Sequence, residues 1–376
     1  MKVEILKENL KSGINLVEKI IGKNISLPIL DNVLITTEDS FLNLTSTDLE
    51  TVIRLWVLSK VIQKGKVVIP AKFFSNFIST LSDDKVIIEV KGQNLYIESK
   101  NFKTQIQGHN PEEFPIIPEF KNVDCLEINN KNFCQGLSQV INIVSSSQIR
   151  PEISGIYFCF SKNNITIAAT DSFRLAEKIL PLENTTKKKY SFILPQKPAR
   201  EMMNILEGKE GILKIYFSDN QILFEFPMKE IKHPQIQITS RLIDGQYPNY
   251  QDIIPNTFKT SIILKKDEFL NQIKTASLFS NRNNEVRLSI SSTKKEVEIF
   301  SQNPNIGESK STIPVKIEIG GDDIEASFNY KFLLDGLQNI KSSELVFSIS
   351  KEDGPSILKP VGDSSYLYVV MPIKAI

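Results

Sequence analysis

The dipeptide Thr47-Asp48 returns 123 residues later as Thr170-Asp171, and its surroundings return with it. Leu10 aligns with Phe133, Pro28 with Pro151 and Val33 with Ile156 at the same separation, without insertion. A third copy shows where Phe269 follows Phe133 by 136 positions and Ser301-Gln302-Asn303 stands in for Ala169-Thr170-Asp171. Solenoid repeats run to roughly 20–50 residues, so this period is a whole domain. A chain of 376 residues is then three domains, expected at 1–120, 121–250 and 251–376.

Each copy reads helix, strands, helix, strands. Apolar residues at helical spacing mark the first helices: Leu10, Ile14, Val17 and Ile21; Phe133, Leu137, Val140, Ile141 and Val144; Phe269, Ile273 and Ala276. In the third copy Leu278-Phe279 leave that stripe. The spacing predicts second helices over 72–81, 197–206 and 331–340, with Pro70 and Pro195 just before two of them. Strand hairpins are expected over Val86–Glu98, turning at Gly92, and over Leu213–Phe226, turning at Asp219-Asn220. Ile165–Ala168 and Val297–Phe300 read as further strands. Proline-bearing joints follow the first two copies, at Phe114–Pro118 and Tyr247–Pro255. Two helices against antiparallel sheet, three times over, define an α+β class.

Composition excludes more than it selects. The charged start Met1–Glu8 has no apolar core, so no secretory signal is expected, and no apolar run approaches a membrane span. Cys125, Cys134 and Cys159 are odd in number and lack metal-ligand spacing, which suits thiols of a reducing cytoplasm. No metal or cofactor is expected. Net charge is only +1, yet it is unevenly placed. Residues 5–21, 72–81, 131–144, 197–206 and 265–280 each carry +1 and residues 331–340 carry none, so the six helical segments hold +5 and the remainder −4. Such an excess attracts phosphate if the helices share a face, although solvated helix faces would look the same.

Three segments carry a family resemblance. Ala168-Ala169-Thr170-Asp171-Ser172-Phe173-Arg174-Leu175-Ala176 resembles the central-domain signature of the bacterial replicative sliding clamps, the beta subunits of DNA polymerase III. Leu242–Tyr250 with Ile253-Ile254-Pro255, and the terminal Tyr368–Ile373, match in the same order. The resemblance covers the whole chain. It implies three tandem clamp domains, closed head to tail with a second copy into a ring around double-stranded DNA. The ring would tether the polymerase III alpha subunit and also serve the clamp loader, other polymerases and repair proteins through short peptide motifs.

Carried over residue by residue, the resemblance implies a partner-peptide pocket from Ile153, Thr170, Ser172, Phe173, Arg174, Leu175, Pro248, Ile253, Asn329, Phe332, Ser356, Val369, Val370, Met371 and Pro372. Arg174 would offer a donor fork, and Leu175, Ile253, Val370 and Met371 apolar anchors. Leu175, Val369 and Val370 also read as plain core-strand residues. Candidate phosphate-facing residues are Lys11, Lys23, Lys72, Arg150, Lys197, Lys274 and Lys331. The implied dimer seam sets Leu278 and Phe279 against Ile106 of the other copy. Phe173 replaces the family's frequent His or Tyr, Asp252 replaces an Arg found in some members, and Lys374-Ala375-Ile376 departs from the usual basic-Leu finish. These departures bear on peptide preference.

Two other functions compete. An enzyme would need an acid–base pair, but the only histidines, His109 and His233, fall in different copies, and Asp48 and Asp171 are repeat equivalents. Gly22-Lys23 lacks P-loop spacing. A non-ring scaffold that binds through repeated sheets is the second rival, and native mass separates it from a ring.

Overall fold

The computed structural model describes residues 1–22, 27–117, 120, 124–145, 149–185, 189–320 and 322–374. Six helices fall in the predicted places: α1 (Lys7–Val17), α2 (Ala71–Thr80), α3 (Asn130–Ser138), α4 (Gln196–Leu206), α5 (Lys266–Ser277) and α6 (Tyr330–Asn339). Both predicted hairpins form, the first turning at Gly92, whose φ of 63° lies in the region that favours glycine. Two first helices are shorter than expected: α1 stops at Val17, and Glu18–Ile20 form a 3-10 turn before Ile21. α3 stops at Ser138, and Ile141–Ile143 form a separate 3-10 turn. The β-branched residues Val140, Ile141, Ile143 and Val144 resist a continuous helix.

The residues group into two compact units, Met1–Asn132 with Leu182–Thr185 and Lys197–Leu242, and Phe133–Pro181 with Thr186–Gln196 and Ile243–Ile376. The first contains an eight-stranded sheet in the order Cys125–Asn129, Ile212–Phe217, Gln221–Pro227, Pro234–Arg241, Thr51–Leu58, Phe41–Thr47, Asn32–Glu38, Lys66–Pro70. Its five-stranded companion holds Lys2–Leu6 and ends at the edge strand Lys103–Ile106. The second contains a nine-stranded sheet, in which Arg174–Pro181 pairs with Tyr366–Val370, and a four-stranded one that includes Ile324–Asn329. Strands of different repeats therefore join one sheet: Leu55 faces Ile236, and Arg174 faces Val370.

The helices lie tightly on these sheets. A Cβ on Gly13 would sit 2.8 Å from Val57 Cγ2, and one on Gly136 would sit 2.7 Å from Leu180 Cδ1. The two glycines are 123 positions apart, so close helix–sheet approach is itself a repeat feature. The apolar stripes are buried as their spacing demanded, with Leu10, Ile14, Phe133, Leu137, Phe269 and Ile273 at 0% exposure. Truncating such a phenylalanine costs about 3–5 kcal/mol.

Each first helix also caps its second. Lys7 Nζ donates to Leu81 O at 3.2 Å, Asn130 Nδ2 to Leu206 O at 2.9 Å, and Lys266 Nζ to Ile340 O at 3.4 Å. Carbonyls orphaned at a helix C-terminus accept these donors, and the two ammonium groups sit at its negative end. Among the described residues no helix is long and apolar enough to cross a membrane.

Candidate functional site

The turn Thr170–Arg174 is held by its own side chains. Thr170 Oγ1 donates to Arg174 O at 2.7 Å and accepts from Ser172 N at 3.1 Å, while Asp171 Oδ1 accepts from Phe173 N and Arg174 N, both at 3.0 Å. Ser172 takes φ 77°, a local cost that these four bonds offset. The first repeat builds the same turn. Thr47 Oγ1 donates to Thr51 O at 2.9 Å and accepts from Leu49 N at 3.0 Å, Asp48 Oδ1 accepts from Glu50 N at 3.2 Å and Thr51 N at 2.7 Å, and Leu49 has φ 74°. The recurring Thr-Asp pair is thus a turn-forming device. In the third copy Asn303 Oδ1 keeps one such bond, from Asn305 N at 3.0 Å.

This turn presents Phe173, 61% exposed, above the strand that carries the C-terminal segment. Met371 N donates to Phe173 O at 2.8 Å, and Ile373 N to Ser327 O at 2.7 Å, which ties the segment down on both sides. Phe332 on α6 stacks on Phe173 with ring centroids 6.4 Å apart. Asn329 caps α6 by accepting from Lys331 N at 3.0 Å. Tyr368 donates its hydroxyl to Phe332 O at 2.7 Å.

Arg174 is engaged within its own chain. Its fork is not free: Nε meets Asp171 Oδ2 at 2.8 Å, Nη1 meets Asp335 Oδ2, and the guanidinium lies 4.6 Å over the Phe332 ring. Burial pushes this group down, but Tyr368, Asp335 and Asp171 outweigh it and hold Arg174 above its ordinary value. The side chain, 12% exposed, is a clamp within the site. Asp335 and Tyr368, which the sequence did not place among the pocket residues, complete it. Asp335 lies 161 positions from Arg174, and no local pattern marks that pairing.

The expected apolar anchors divide by burial. Leu175, Val369 and Val370 are at most 1% exposed, and Ile153, Thr170, Ser356 and Pro372 are buried too. These residues form the floor. Leu175, Ile153 and Val369 pack with Ile193, Tyr247, Tyr250 and Ile357 in one cluster. Ser356 Oγ has no hydrogen-bond partner there. The surfaces left for a ligand are Phe173, Ile253 at 49% exposure, and the half-buried Phe332, Met371, Pro248 and Asn329, with exposed Ser172.

Beneath Ile253, the 3-10 turn Tyr250–Ile253 is fastened by Tyr250, whose hydroxyl donates to Glu177 Oε2 at 2.5 Å. Tyr157 stacks on Tyr247 at 4.9 Å. Asp252 accepts from Asn249 Nδ2 at 2.7 Å, so one of its oxygens is engaged inside the turn.

The candidate cations divide. Lys72, Lys197 and Lys331 each occupy the second position of α2, α4 and α6, and all three are exposed. Lys197 Nζ reaches Asp48 Oδ2 at 2.9 Å, and Lys331 Nζ lies 5.9 Å from the Tyr330 ring. Lys274 is exposed in the last turn of α5, Lys11 is half-buried, and Arg150 Nε is 3.5 Å from Glu152 Oε1. Lys23 lies outside the described residues. At the implied seam Leu278 is 71% exposed and Phe279 half-buried, but Ile106 is only 4% exposed. Ile106 ends the edge strand with its side chain in its own core. Among the described residues no cluster of acidic, His or Cys side chains could hold a metal.

Fold and site define a triplicated α+β clamp-type protein with a strapped surface groove. Residues 1–118, 127–249 and 251–374 match, in order, the N-terminal, central and C-terminal domains of the DNA polymerase III beta subunit. The chain belongs to that family. It is 28% identical to the beta sliding clamp of Bacillus subtilis, with all of both chains covered. The crystal structure of the B. subtilis DNA polymerase sliding clamp superposes over both full chains with a TM-score of 0.93 at 28% identity. That of the Thermotoga maritima DNA polymerase III beta subunit does so with 0.89 at 25%.

Proposed function

We infer that this chain is a DNA sliding clamp, a non-catalytic processivity factor of the cytoplasm whose domains span 1–120, 121–250 and 251–376. Two copies close head to tail into a ring around double-stranded DNA, and the ring tethers DNA polymerase III alpha. Clamp loader, other polymerases and repair proteins use the same peptide groove.

One observation carries the DNA reading: Lys72, Lys197 and Lys331 sit at the same helix position in three repeats. A cation in the first helical turn opposes the helix dipole by about 0.3–1 kcal/mol. Helix stability therefore does not explain the recurrence; phosphate attraction does. Point charges on flexible stems neutralise phosphates without reading bases, which permits sliding. The test is retention. Loaded rings should stay on circular duplex DNA and run off when it is linearised, with native mass twice that of one chain. Equal loss from both topologies would sink the ring.

A further inference from the structure

The first unit holds a cavity of about 830 Å³ that shares no residue with the peptide groove. Its lining includes Leu16 of α1, Trp56 and Leu58, Met228 and Ile231, and Lys209. Two features point to a ligand. Leu58 is 62% and Ile231 49% exposed, so apolar side chains stand in water at the cavity. Lys209 is half-buried, and burial pushes its amine down. The other charged lining residues, Glu210, Lys229 and Glu230, are exposed on the wet rim. The least exposed charge of the lining is thus an ammonium.

We propose that this cavity docks a peptide segment of a partner protein in which apolar side chains are followed by a carboxylate. The apolar residues lie against Leu16, Trp56 and Met228, and the carboxylate meets Lys209. The volume falls in the range of roughly 300–1,000 Å³ typical of ligand sites. A half-desolvated ammonium gains most from an anion brought into the same dry environment. Exposed Leu58 and Ile231 extend the apolar surface, as a chain segment would use it. Met228 adds an adaptable thioether.

Trp56 is the only tryptophan in the chain, 7% exposed, with its indole N–H donated to Glu38 Oε2 at 2.7 Å. Trp56 lines the cavity, so its emission gives a readout there. The full chain is titrated with N-acetyl-Leu-Phe-Glu-amide and with its glutamine twin. The acidic peptide should shift Trp56 emission saturably and bind at least about tenfold tighter than the twin, about 1.4 kcal/mol. Lys209→Met should abolish that preference. The bond from Asn130 Nδ2 to Lys209 is accepted by the backbone oxygen, which Lys209→Met retains. Leu58→Asp, at a site already exposed, provides a second variant that should weaken both peptides. The proposal is overturned if Trp56 does not respond at millimolar peptide, or if wild type and Lys209→Met bind the two peptides equally. Ring formation enters neither readout, so failure here leaves the clamp function standing.

Discussion

Met371 donates its amide to the carbonyl of Phe173 at 2.8 Å, and this bond sets the C-terminal segment beside the exposed ring of Phe173. Arg241 N donates to Glu50 O at the same 2.8 Å in the first unit. Glu50 and Phe173 are 123 positions apart, so one backbone device was built twice and given different lips. The turn is shared; the apolar pair is not. A peptide with an apolar end finds Phe173 and Met371 on one copy and Glu50 and Arg241 on the other.

The lip should therefore control affinity without controlling stability. Phe173→Glu, which copies the first turn, should reduce binding of a Leu-Phe-ended peptide by at least about tenfold, or 1.4 kcal/mol. Because Phe173 is 61% exposed, the urea midpoint should hardly move. Undiminished affinity would place the apolar contact elsewhere.

Arg174 should behave in the opposite way. Its removal leaves Asp171, with a side chain 17% exposed, and Asp335, 40% exposed, without their cation. Breaking a fully buried pair costs about 3–5 kcal/mol, and the exposure of Asp335 lowers that to about 1–3 kcal/mol. Arg174→Ala should lower both urea stability and peptide affinity, since Phe332 loses the group stacked on it. Asp335→Asn keeps a hydrogen-bond acceptor and should cost less. Equal losses for the two variants would mean that the charge of Asp335 carries the clamp.

The helices were legible because Leu10, Ile14 and Val17 repeat with the period of one buried face, and Gly92 marked its turn. Gly13 and Gly136 were equally visible at the repeat spacing, and their close approach to the sheet follows from it. The joined sheets were not legible. Leu55 and Ile236 pair across 181 positions, and such pairing leaves no mark on either strand alone. The burial of the C-terminal strand was not legible for a related reason. All of Tyr366–Val370 is buried, so alternation does not show which side chains face outward. The Arg174–Asp335 clamp joins residues 161 positions apart and leaves no local mark in the sequence.

Burial should make the second unit labile in alkali. Tyr247, Tyr250, Tyr366 and Tyr368 are all pushed upward, first by burial, and Tyr250 also by Glu177. An unfolded tyrosine loses its proton near pH 10, before these four do. Their contribution is complete below that pH and is lost as pH rises through the folded values. Tyrosinate absorbance should appear in two steps, exposed groups first, then the raised ones, which include Tyr157 and Tyr216 beside these four, together with loss of near-ultraviolet dichroism. Reversible ionisation of all nine tyrosines in folded protein would contradict this.

Leu278, 71% exposed just after α5, is the apolar residue at the implied seam that has no burial of its own. Leu278→Asp should leave the fold of one chain unchanged and halve the mass seen by sedimentation. A surviving dimer would move the seam away from this helix end.

Deleting residues 372–376 separates groove from ring. Pro372 is buried, and Ile373 N is fastened to Ser327 O at 2.7 Å, so the segment is a fixed wall up to its last described turns. Its loss gives up one backbone hydrogen bond, about 0.5–1.5 kcal/mol, and frees Met371 from one side. The dimer seam proposed at Leu278 is untouched. Truncated protein should therefore sediment as a dimer and stay on circular DNA. A fluorescent Leu-Phe-ended peptide should bind it more weakly by about 2 kcal/mol or more, the scale of a hot-spot loss. Equal affinity would show that Phe173, Phe332 and Ile253 grip the peptide without the C-terminal wall. Loss of the dimer would mean that this segment braces the third domain as a whole.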